Sequence, residues 1–136
     1  MRISVHDNRL LSYAVNCRGR EIVLHTAFLD VEPHEYTDII FSGVAAYRFE
    51  GDNFSTIIFD VSEVELEDIY ARHQDVFANA KNYGWPMPYD SAEELLRGLR
   101  AENVKGYVIN SSYGLDGWVW AREMTLKSRG VARLPL

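Results

Sequence analysis

Between positions 39 and 50 the side chains alternate in character. Ile39, Phe41, Ala45, Tyr47 and Phe49 fall on one set of positions, and Ile40, Val44, Arg48 and Glu50 on the other. Successive strand side chains point to opposite faces, so this stretch reads as a long strand with one apolar face. Its second face grades from apolar to charged and meets water at one end. Gly51, Asp52 and Asn53 supply turn residues, and a second strand is expected over 54–61, with Thr56, Ile57, Ile58 and Phe59 buried on both sides. The expectation is a central antiparallel hairpin.

The flanking segments extend the same pattern. Leu11, Tyr13 and Val15 alternate with Ser12, Ala14 and Asn16, and Ile22, Leu24, Thr26 and Phe28 alternate with Val23, His25 and Ala27. Between them, residues 16–20 read as a turn with Gly19 at a positive φ. His6, Asp7 and Asn8 turn the chain in from a short first strand. Pro33 removes a backbone donor and makes 30–35 a polar connection.

A helical period then takes over. Ser62 and Glu65 have capping-box spacing, and Leu66, Ile69, Tyr70, His73, Phe77 and Ala80 recur at steps of three and four. Gly84 ends that helix, and Pro86 and Pro88 prevent its continuation. Asp90 or Ser91 caps a second helix, with Ser91 and Glu94 again at capping-box spacing ahead of Leu95, Leu96 and Leu99, and that helix ends at Asn103. A last hairpin joins a strand over 105–112 to one over 118–124 through Gly114–Gly117. The order predicts an α+β fold, a mostly antiparallel sheet of about six strands with two helices on one face. A single domain is expected over 1–124, with a basic, loose tail over 125–136.

The net charge of −6 conceals an asymmetry. From Glu21 to Ala71 there are twelve carboxylates and one base, Arg48, whereas the remainder carries an excess of bases. Phosphate contacts need Lys and Arg, so the acidic part argues against nucleic acid and suits a basic protein partner. The other reading is that these acids are solvated and partly paired within the fold. No apolar run reaches the ~20 residues of a membrane helix, and residues 1–7 lack the apolar core of a secretory signal. With Cys17 the lone cysteine, there is no internal disulfide and no thiolate metal site. A cytoplasmic location is expected, with no membrane, metal or cofactor.

The four histidines show no metal-ligand spacing, and the glycines form no phosphate-binding cluster. His73 reads as a packed helix residue. Ser111 and Ser112 precede a strand-to-strand turn and lack the glycines of a hydrolase elbow. The carboxylates Glu63, Glu65, Glu67 and Asp68 crowd a helix start, where the macrodipole favours them, and form the expected partner-binding patch. Trp118 and Trp120 share one strand face, which is either an exposed platform for a partner or the core face beneath the helices. A pocket between helices and sheet would draw on His25, Glu50, Trp85 and Tyr113. Glu50 and Asp52 should stand roughly 20 Å from the helix-start acids, giving two separate acidic patches.

The phrases His6-Asp7-Asn8-Arg9-Leu10-Leu11, Tyr47-Arg48-Phe49-Glu50-Gly51-Asp52 and Ser111-Ser112-Tyr113-Gly114 with Gly117-Trp118 resemble those of small bacterial cytoplasmic proteins. In size and acidity the chain is similar to immunity proteins of bacterial toxin systems. That resemblance implies a binding module and carries over no catalytic or binding residue. The alternatives are a small enzyme or ligand-binding protein with the pocket above, and a structural homo-oligomer.

Overall fold

The computed structural model describes residues 4–130. Six antiparallel strands close into a barrel in the order β1-β2-β3-β6-β5-β4. They are β1 (Arg9–Asn16), β2 (Glu21–Phe28), β3 (Glu35–Glu50), β4 (Ile57–Val64), β5 (Lys105–Tyr113) and β6 (Asp116–Gly130). Between β4 and β5 the chain inserts α1 (Leu66–Arg72), α2 (Gln74–Ala80), a 3₁₀ turn (Lys81–Tyr83) and α3 (Ala92–Ala101). The α+β class, the antiparallel sheet and the six strands agree with the sequence pattern.

The neighbours of β3 do not. β3 pairs with β2 over its first half and with β6 along almost its whole length, while β4 pairs with β5. The central hairpin expected from 39–61 therefore does not form. Alternation states which face a strand buries and leaves open which strand lies beside it. Phe54 is fully exposed in the turn and Phe59 about half exposed, so the region expected to be buried on both faces is buried on one.

β3 is long enough to serve two sides of the barrel because it kinks. Gly43 takes φ 63°, and the β3–β6 register shifts between Val44 and Ala46. A Cβ at Gly43 would lie 2.9 Å from the Arg122 side chain, so the bend needs glycine for both space and backbone. The bulge also puts Val44, rather than the expected Ala45, into the barrel core. Gly19 is special for a different reason from the expected one. Arg20, not Gly19, has the positive φ, and a Cβ at Gly19 would crowd the Asn16 amide that accepts the Gly19 N–H at 2.8 Å.

Two apolar layers result. Inside the barrel, Ile22, Leu24, Ile39, Phe41, Ile58, Tyr107, Ile109 and Val119 form one core. Outside it, Leu66, Ile69, Phe77, Leu95, Leu96 and Leu99 of the helices cover Ala46, Trp118 and Trp120. Each fully buried large side chain contributes roughly 1.5–3 kcal/mol. One barrel end holds a satisfied polar relay, in which Asn8 donates to Thr26 Oγ1 at 2.9 Å and Thr26 donates to the Thr37 carbonyl at 2.6 Å. The β1–β4 seam is short: Arg9 pairs with Ile57, and Asp7, Asn8 and Leu10 bond to the Ile58 and Thr56 backbone.

The helices depart from expectation in number and in their starts. The first predicted helix is divided at His73, whose φ of −125° leaves the helical region. Ser62 lies in β4, and α1 begins at Leu66 with Glu65 as an N-cap that makes no side-chain cap bond, so that capping box is absent. Ser91 does cap α3, accepting the Glu94 N–H at 3.1 Å. Gly84 ends the 3₁₀ turn at φ 74°, as expected. β6 continues through Gly130, so residues 125–130 are strand, held by β3 residues 36–40, and not a loose tail. Residues 131–136, and any strand over 1–3, lie outside the described residues.

Candidate functional site

The outer faces of β3, β6 and β5 meet α1 in a cleft of about 140 Å³. Its floor is apolar, from Ile69, Val108 and Trp118. Its rim is charged: Arg48 and Glu50 from β3, Asp68 and Arg72 from α1, Asp116 from β6, with His73 and Asn110 beside them. The local sequence explains the arrangement. Arg48 stands opposite Trp118 and Glu50 opposite Asp116 in the last rungs of the β3–β6 ladder. Asp68 and Arg72 are four apart in the same helix, so both project from one side of α1.

The charges on this rim are unevenly satisfied. Arg48 Nε donates to Glu50 Oε1 at 2.9 Å. Asp116 Oδ1 accepts the Ser111 N–H at 2.7 Å. Among the described residues, neither Asp68 nor Arg72 has an ion-pair partner. A volume of this size suits one small charged head group, such as a guanidinium or ammonium.

The helix-start carboxylates do not gather as a single patch. Asp68 faces the cleft, whereas Glu67 pairs with Arg100 of α3. Its own backbone N–H, and then Arg100, hold the Glu67 carboxyl below its usual range. Glu63 is in β4 opposite Tyr107, and Glu65 is the residue before α1. Burial pushes the Tyr107 phenol up, with Glu63 and Glu123 adding to the shift. The expected separation of the acids also fails, since Glu50 and Asp68 line one cleft. The absence of a β3–β4 hairpin removes the geometry on which that separation rested. Asp52 does go elsewhere, accepting the Tyr13 hydroxyl.

Trp118 and Trp120 are 2% and 0% exposed, so they form the core face beneath the helices and no surface platform. Phe77 stacks on both, at 5.6 and 5.1 Å, and Trp85 closes on Trp118 at 6.0 Å. Neither indole N–H has an acceptor among the described residues. His73 joins the edge of this cluster, 6.0 Å from Trp118.

Of the four expected pocket residues, Glu50 alone lines the cleft. His25 is on the far face of the barrel, where its Nδ1 lies 2.8 Å from the buried Asp38, itself 3.7 Å from Arg129. Tyr113 pairs with Ile57 and is exposed; Trp85 is in the aromatic layer. Arg48, Arg72, Asn110 and Asp116 were not legible as site residues. The one available signal was Arg48, the single base in the acidic segment. Among the described residues no cluster of three or more His, Cys, Asp or Glu is placed to hold a metal ion. No described helix is long and apolar enough to cross a membrane.

Comparison with known protein families, curated proteins and solved structures finds no match.

Proposed function

We propose that this chain is a non-enzymatic protein-binding module whose acidic surface engages a basic partner through the cleft beside α1. The supporting observation is the pairing of the acidic segment. Of its twelve carboxylates, three pair with an arginine among the described residues: Asp38, Glu50 and Glu67. The excess negative charge of residues 21–71 is therefore largely left for solvent or a partner. At the cleft, Glu50, Asp68 and Asp116 surround an apolar floor, the setting in which a partner's Lys or Arg becomes an anchor.

An immunity-type inhibitor acting in a bacterial cytoplasm is the specific form of this proposal. The test is to express the chain with the products of its neighbouring genes and recover it. The supporting result is a basic partner that is retained by the native chain, lost on Asp68→Lys, and slower to associate as salt is added. Recovery of no partner counts against it.

A small-ligand site in the same cleft is the second reading. The buried indole N–H of Trp118, a residue of the cleft floor, has no partner among the described residues and favours it. Calorimetric titration with small carboxylate and ammonium compounds separates the two readings.

A further inference from the structure

β1 is paired on one side only for most of its length. β2 runs beside Arg9–Asn16, but among the described residues the β4 side is met by Arg9, opposite Ile57, and Leu10, bonded to the Thr56 carbonyl. Among the described residues, 12–16 have no strand on their second side. A strand paired on one side turns alternate amides and carbonyls outward. Exposed edges are ordinarily blunted by Lys, Pro or inward charge, yet Ser12, Tyr13, Ala14, Val15 and Asn16 include none of these.

A trough of about 570 Å³ opens against this edge. Leu10 to Tyr13 form one wall and Asp52, Asn53 and Phe54 of the β3–β4 turn the other. The Tyr13 hydroxyl donates to Asp52 Oδ2 and ties the walls together. Oδ1 of Asp52 has no described donor. Aromatic rings continue the surface, with Tyr13 edge-on to Phe49 at 5.6 Å and Tyr47 at 5.1 Å from Phe49. Phe54 is fully exposed at the lip.

We propose that the β1 edge and this trough form a second contact surface, which takes an extended, basic peptide segment of a protein partner by strand addition. The backbone edge supplies main-chain hydrogen bonds, Asp52 a carboxylate for a Lys or Arg, and Phe54 an apolar contact for the alternate side chain. The surface is separate from the cleft beside α1, with which it shares no lining residue. Either surface can fail while the other stands.

The experiment is an amide-shift titration of the full isotope-labelled chain. The probes are capped octapeptides of alternating Lys and Val, the same with Glu for Lys, and the Lys peptide methylated on alternate backbone nitrogens. The expected result is saturable displacement of amides at 12–16 and 52–54 by the Lys peptide in the millimolar range. Asp52→Asn and Phe54→Ser each weaken it roughly fivefold to tenfold, and the Glu and N-methylated peptides bind at least about tenfold more weakly. Phe54→Ser changes a fully exposed side chain and leaves the fold intact, so its effect is read even if Asp52→Asn loosens the turn. Unmoved amides at 12–16, displacement at another surface, or equal binding of the Lys and Glu peptides overturns the proposal. So does concentration-dependent broadening of 12–16 in the free protein, which would assign the edge to a second copy of the chain.

Discussion

Glu50 and Asp116 stand directly opposite one another, the final pair of the β3–β6 ladder. Like charges in that position are destabilising, and among the described residues Arg48, bonded to Glu50, is the ion-pair partner that relieves them. Asp116→Asn keeps an acceptor for the Ser111 N–H and removes the repulsion. It should raise stability by roughly 0.2–1 kcal/mol in chemical denaturation while weakening partner binding. A variant that is more stable and binds less identifies the pair as held for recognition.

The Tyr13–Asp52 hydrogen bond makes a pH prediction. That bond to the carboxylate, with some burial, pushes the Tyr13 phenol up from 10.0 to about 12. The neutral phenol is the bonded form, so its contribution to stability is complete below pH ~10 and is lost as pH rises towards about 12. NMR titration of the Tyr13 ring should show the raised midpoint, and Asp52→Asn should return it towards the ordinary value. An unchanged midpoint in the variant would show that burial alone sets it.

The two capping-box spacings give a paired test. Ser91→Ala removes an acceptor from the Glu94 N–H and should cost about 1 kcal/mol. Ser62→Ala, in a strand, removes no cap and should cost much less. Thermal denaturation of the two variants side by side reads the difference.

That contrast shows how far the sequence reaches. Period and turn chemistry located the strands, the β1–β2 and β5–β6 hairpins, and α3 with its cap at Asp90 or Ser91, because each rests on neighbours in the chain. The barrel rests on distant pairs. β4 joins β5 across the helical insertion, and β3 joins β6 across most of the chain, relations that alternation at 39–61 does not encode. The same holds for the cleft. Glu50 and Asp68 meet because β6 brings the end of β3 to the β5 side, where α1 leans. Ser62 and Glu65 have the right spacing, but pairing of Ser62 with Val108 keeps it in a ladder.

The aromatic layer should carry the helices. Trp120 is fully buried and stacked on Phe77 at 5.1 Å. Trp120→Ala should cost roughly 3–5 kcal/mol. Its strand lies between β3 and β5, so the loss should appear first as exchange of α2 amides and only later as barrel opening. Hydrogen exchange followed residue by residue checks that order.

The most direct test of the account is a paired charge reversal, Asp68→Lys against Glu63→Lys, with partner association measured by surface plasmon resonance at low salt. Both residues are acidic and close in sequence, yet Asp68 lines the cleft and Glu63 stands in β4 opposite Tyr107. The account predicts that Asp68→Lys abolishes binding while Glu63→Lys slows association modestly through the lost steering charge. Equal loss in both variants, or full binding by a folded Asp68→Lys chain, would contradict it.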